Sequence, residues 1–123
     1  MTKPILPHEA ETREIHAIIR DYFDGLYEGD VEKLRSIFDE KASLQAPGYR
    51  RTRDEWLSLV AERSVPKAEG FGYDFALLSL EVVGDQAMAK VSAPLPAANY
   101  VDFLSLLKEE GAWKIVNKMF VAV

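Results

Sequence analysis

Ile15, Ile18, Ile19, Tyr22, Phe23 and Leu26 fall at i, i+3, i+4, i+7, i+8 and i+11, with Glu11, Glu14, Asp21, Asp24 and Glu28 on the other side. That spacing predicts one long amphipathic helix. Gly25 lies inside it, where glycine is about 1 kcal/mol worse than alanine, so a close backbone contact is expected there. Gly29 supplies a stop, and Asp30 caps a second helix that carries Val31, Leu34, Ile37 and Phe38. Residues 41–46 alternate weakly and predict a short strand, broken by Pro47-Gly48. Thr52-Arg53-Asp54-Glu55 has the form of a capping box. It opens a third helix, with Trp56, Leu59 and Val60 on one side, which stops before Pro66.

From Phe71 onward the period is two. Segments 73–83, 86–93, 100–108 and 112–121 are rich in Val, Leu, Phe, Tyr and Ala and predict four strands. Gly84-Asp85 suits a two-residue type II′ hairpin, and Glu109-Glu110-Gly111 a three-residue one. Pro94 and Pro96 suggest an edge, bulge or bend between the second and third segments. A three-residue last loop places Asp102 opposite Lys118, Tyr100 opposite Phe120 and Leu104 opposite Val116. The other face then pairs Phe103 with Asn117, Val101 with Met119 and Leu107 with Trp113. A two-residue loop shifts every pair by one. Both faces of this hairpin are largely apolar, so both are expected to be covered, one by helices and the other by a second copy of the chain. Helices followed by strands, with no repeat or linker, predict a single α+β domain over residues 1–123.

Composition narrows the partners. Of the 123 residues, 15 are basic and 20 acidic, a net charge of −5 that argues against nucleic acid as a partner. There is no cysteine, which excludes disulfides, thiolate zinc sites and a thiol nucleophile and is compatible with a cytoplasmic location. The first residues carry no apolar run of signal-peptide length, and no stretch has the length of a membrane span, so no membrane partner is expected. Two histidines, His8 and His16, are too few for most metal sites, and phosphate loops and metal-ligand spacings are absent; no metal or cofactor is expected.

The run Asp21-Tyr22-Phe23-Asp24-Gly25-Leu26-Tyr27-Glu28-Gly29-Asp30, followed by Leu34 and Phe38, resembles the first helices of the NTF2-like (SnoaL-like) superfamily. The closing run from Tyr100 to Phe120, with Glu109-Glu110-Gly111-Ala112-Trp113 at its turn, is similar to the C-terminal hairpin of the branch called putative lumazine-binding proteins. The resemblance covers roughly Ile15 to Phe120. It implies an NTF2-like (cystatin-like) cone, in which N-terminal helices pack on a strongly curved antiparallel sheet that opens at one end as a pocket. It also implies a homodimer through the outer sheet face. The fold hosts enzymes, binding modules and adaptors alike and fixes no function.

Asp102 and Lys118 are the candidate catalytic pair. At a pocket wall a low dielectric tunes them as acid, base or ligand anchor; on an exposed face they form a weak cross-strand ion pair. Tyr22, Trp56 and Tyr100, with Tyr49, supply rings for a flat ligand, although Tyr22 and Trp56 also suit plain core positions. Asn117 offers a hydrogen bond if its face looks inward. His16 invites an acid–base or ligand role from the flank of the first helix, where a histidine more often packs by its ring. Arg50, Arg51 and Arg53 precede a helix start that favours anions, and equally balance Asp54 and Glu55 in solvent. The expected function is binding of an apolar or aromatic small molecule in the cone pocket. The alternative is a cofactor-independent isomerase, dehydratase or cyclase that uses Asp102 as base.

Overall fold

Long α1, Glu9–Glu28, follows from the apolar stripe: Ile15, Ile19, Tyr22, Phe23 and Leu26 are all buried. The computed structural model describes residues 9–123, so His8 lies outside the described residues. Gly29 (φ +65°) turns the chain, and the side chain of Asp30 accepts from the Lys33 amide at 3.0 Å to cap α2, Val31–Ile37. The contact expected at Gly25 is present. A Cβ built there would lie 2.7 Å from both Cγ and Cδ2 of Leu34, itself fully buried. Glycine is needed because α1 and α2 cross at that point, which outweighs its poor helix propensity.

Two short stretches then differ from the sequence reading. Phe38 begins a strand rather than ending α2, and β1 runs Phe38–Ala46. Pro47-Gly48 forms a hairpin, not an end, and returns the chain as β2, Tyr49–Thr52. Its arginine-rich sequence carries no apolar alternation, so the strand is defined by pairing with β1 alone. Thr52 then caps α3, Arg53–Glu62, through a complete capping box with Glu55.

The remaining strands are β3 (Ala76–Val83), β4 (Gln86–Pro94), β5 (Asn99–Glu109) and β6 (Ala112–Ala122). They join β1 and β2 in one curved six-stranded sheet of order β2-β1-β6-β5-β4-β3. All neighbours are antiparallel except β1 and β6, which are parallel. The curved, mostly antiparallel sheet is as expected, with that one parallel ladder in it. The parallel ladder arises because β1 has its hairpin partner β2 on one edge and receives the last strand on the other.

The register of β5 and β6 also needs correction. The loop has two residues, Glu110 (φ 51°) and Gly111 (φ 79°), with Glu109 facing Ala112. Two consecutive left-handed residues make a type I′ turn, which matches strand twist better than the longer loop. A bulge follows, because Ser105 faces Asn117 whereas Leu106 faces Ile115, leaving Val116 as the extra residue. Asp102 therefore faces Phe120, Leu104 faces Lys118, Phe103 faces Met119, and Trp113 faces Lys108 rather than Leu107.

The helices cover the sheet face that carries Ala87, Ala89, Val91, Leu104, Leu106, Trp113 and Ile115, and the core lies between them. On the opposite face Met88, Phe103, Met119 and Val121 are 51%, 40%, 45% and 50% exposed. Four large apolar side chains on one uncovered face are more than scattered surface residues.

Candidate functional site

At the end of the sheet away from the β5–β6 turn, the core gives way to a pocket of about 170 Å³. Its wall combines β5 and β6 (Tyr100, Asp102, Lys118, Phe120) with α3 and the residue after it (Trp56, Leu59, Arg63). Tyr49 of β2 and Leu95, between β4 and β5, complete the mouth. The α3 capping box sets the helix start, so Trp56 and Leu59, one turn apart, address the same opening.

The polar floor is a buried carboxylate and a buried amine. Asp102 is 1% and Lys118 6% exposed. The Tyr22 hydroxyl donates to Asp102 Oδ2 at 2.6 Å, and Lys118 Nζ stands 3.9 Å from the same oxygen. The first distance is a short charge-assisted hydrogen bond; the second is an ion pair without one. Asp102 Oδ1 is buried and has no hydrogen-bond partner among the described residues. Lys118 Nζ instead lies over rings, 4.6 Å from the centroid of Trp56, 5.3 Å from Tyr22 and 5.5 Å from Phe120.

Burial dominates the acid–base behaviour. It pushes the Lys118 ammonium down to about 8, with Asp102 opposing the shift and Arg63 adding to it. It raises the Tyr22 hydroxyl well above its ordinary range, reinforced by the negative charge of Asp102 and the hydrogen bond to it. The site thus holds a tyrosine that stays protonated, a carboxylate with one free oxygen and an amine that titrates at about 8.

Asp102, Lys118, Trp56 and Tyr100 come together as the sequence suggests, with Tyr22 directly behind the carboxylate. Asn117 does not join them. It points to the opposite face, where its Nδ2 donates to Ser43 Oγ at 3.0 Å and Gln45 Oε1 at 3.3 Å. His16 is exposed on α1, beside a shallow hollow with Arg20, Phe23 and Leu77, away from the carboxylate. Arg63, Leu95 and Phe120 are wall residues that pattern reasoning did not single out. Phe120 was visible as the strand neighbour of Lys118 at i+2, but Arg63 and Leu95 sit in loops whose path no periodicity reports.

Comparisons with known proteins agree with this architecture. A family model described as "Putative lumazine-binding" matches residues 10–121. An NTF2-like protein of unknown function from Silicibacter pomeroyi is 25% identical, with a TM-score of 0.76 over 96% of this chain and 100% of that one. One from Shewanella baltica is 20% identical, with a TM-score of 0.82 over 97% and 98% of the two chains. The association domain of CaMKII from C. elegans shares the fold at 13% identity, TM-score 0.69, over 93% and 97%. No curated protein matches. Among the described residues, no helix is long and apolar enough to cross a membrane.

Proposed function

The chain belongs to the putative lumazine-binding family of NTF2-like proteins, and we propose that it binds a flat apolar or aromatic small molecule in the pocket floored by Asp102 and Lys118. The observation that carries this reading is the unpartnered Asp102 Oδ1 in a wall of aromatic rings. A buried acceptor without a donor is unfavourable by about 1–3 kcal/mol, more when charged, and a ligand N–H or O–H relieves it. Lys118, which has no acceptor within hydrogen-bond distance, takes a carbonyl or hydroxyl oxygen beside that donor. Trp56, Tyr100 and Phe120 supply the apolar walls. Family membership supports a small-molecule ligand.

Titration with lumazine, a flat ring bearing adjacent N–H and C=O groups, tests this. Quenching of Trp56 fluorescence with one-to-one stoichiometry is expected, abolished in Trp56→Phe. Asp102→Asn should weaken binding roughly 10- to 100-fold, the worth of a hydrogen bond to a charged group. Binding that survives Asp102→Asn unchanged, or quenching that persists in Trp56→Phe, would place the ligand elsewhere.

A second reading, cofactor-independent isomerisation, dehydration or cyclisation, is favoured by one further observation. Asp102 and Lys118 line the pocket as adjacent acid–base groups, with the Tyr22 hydroxyl bonded to the carboxylate from behind. A bell-shaped pH–rate profile on a bound carbonyl compound selects it over simple binding.

The outer face supports a homodimer, with Met88, Phe103, Met119 and Val121 as its apolar centre. Sedimentation should give about twice 13.9 kDa at tens of micromolar, and Phe103→Glu should halve it. A wild-type monomer at that concentration contradicts the dimer.

A further inference from the structure

We propose that Lys118 is a nucleophile that condenses with an aldehyde or ketone held in the pocket, giving an imine whose protonated form has Asp102 as its counter-ion. The inference rests on the ligand-binding reading of this pocket and deepens it by naming a ligand class.

Three features of the geometry carry it. Lys118 is the lysine that lines the pocket, and its side chain is 8% exposed. Among the described residues no hydrogen bond consumes its nitrogen: the carboxylate is 3.9 Å away and three ring faces surround it. This amine ends among three ring faces beside a carboxylate. Desolvation of this kind is the means by which lysine amines become nucleophiles for carbonyl carbon. Its pKa of about 8 leaves roughly half of the side chain as free amine at pH 8, against well under one part in a hundred for an ordinary lysine.

The step balances without an added reagent. The Lys118 nitrogen lone pair forms a bond to the carbonyl carbon, and the C=O π pair moves to oxygen. The nitrogen loses a proton to Asp102 Oδ1, which passes it to the new alkoxide and leaves a neutral carbinolamine. The nitrogen lone pair then expels the hydroxyl group as C=N forms, and Asp102 carries the remaining N–H proton to the departing oxygen, which leaves as water. Lysine amine and carbonyl compound enter; neutral imine and water leave, with no net proton and no change of oxidation state. Tyr22, donating to Oδ2, holds the carboxylate so that Oδ1 stays available.

Benzaldehyde with sodium cyanoborohydride at pH 8 is the direct test on the intact protein. Reduction of the imine fixes one benzyl group, and peptide mapping locates it. Lys118 should be labelled at least tenfold faster than any of the seven other lysines, and Asp102→Asn should slow that labelling about tenfold. The mapping needs no variant, so it stands even where a substitution disturbs folding. Benzyl alcohol, similar in shape but without an electrophilic carbon, separates the two readings: it should quench tryptophan fluorescence and protect Lys118. Benzyl alcohol binding without preferential labelling of Lys118 overturns the imine and leaves the binding reading intact. Neither binding nor labelling overturns both. Labelling spread evenly over the lysines overturns the imine.

Discussion

Asp102→Ala lowers stability by about 3–5 kcal/mol, read as a fall in melting temperature of roughly 10–25 °C for a chain of this size. Three losses coincide. The Tyr22 hydroxyl, fully buried, loses its acceptor at 2.6 Å; the Lys118 ammonium loses its counter-charge; and a small void opens between α1 and β5. The effect depends on the pair, so the double variant Asp102→Leu/Lys118→Met should regain much of the loss by exchanging a buried ion pair for apolar packing. Thermal unfolding of the two single variants and the double variant checks this. A melting temperature for Asp102→Ala within 2–3 °C of wild type would mean that the carboxylate is not part of a buried network.

Stability should rise with pH between about 8 and 10. Lys118 is held at about 8 when folded and returns to its ordinary 10.5 when unfolded. In that window the unfolded chain binds the extra proton, so raising the pH favours the folded state. The Lys118 contribution is complete above 10.5 and lost as the pH falls through 8. At its full extent it is worth about 3 kcal/mol. Tyr22 works against it. Its raised pKa means that the unfolded chain ionises first above 10, and stability falls again there. Asp102 from β5, Tyr22 from α1 and Arg63 after α3 all face the amine, and Tyr49 and Tyr100 line the same pocket. Denaturant unfolding of wild type and Lys118→Met at pH 7, 8, 9 and 10 isolates the lysine. Parallel curves for the two proteins would refute the shift.

How much of this was legible in the sequence differs by element. Helices α1 and α3 were readable because periodicity and the Thr52–Glu55 capping box are local signals, and Gly25 announced its contact by violating propensity. Strand β2 was not, since four residues with no apolar alternation form a strand only when β1 is beside them. The pairing of Asp102 with Lys118 was found through two compensating errors. The true loop is one residue shorter than its sequence suggests, which by itself would turn Lys118 outward; the extra residue Val116 in β6 turns it back. The pair therefore shares a face as expected but meets diagonally, which explains an ion-pair distance of 3.9 Å rather than a hydrogen bond. Asn117 lies away from the pair for a different reason: the face carrying Asp102 is the one the helices cover, which leaves Asn117 on the other with Ser43 and Gln45.

The parallel ladder between β1 and β6 has a consequence for the order of assembly. Strands β3 to β6 can zip as successive hairpins, each closing a short loop, whereas β1 meets β6 across some seventy residues of chain, as Ser43 meets Asn117. Closing that long loop is entropically the most expensive pairing in the sheet, so loop-closure entropy favours its forming after the local contacts. The pocket straddles this seam: Tyr49 and Trp56 come from one side of it, Asp102, Lys118 and Phe120 from the other. The cavity is thus a product of the final closure and does not exist in any locally folded piece. A ligand that fills it is a clasp, adding its binding free energy where the chain's own connectivity is weakest.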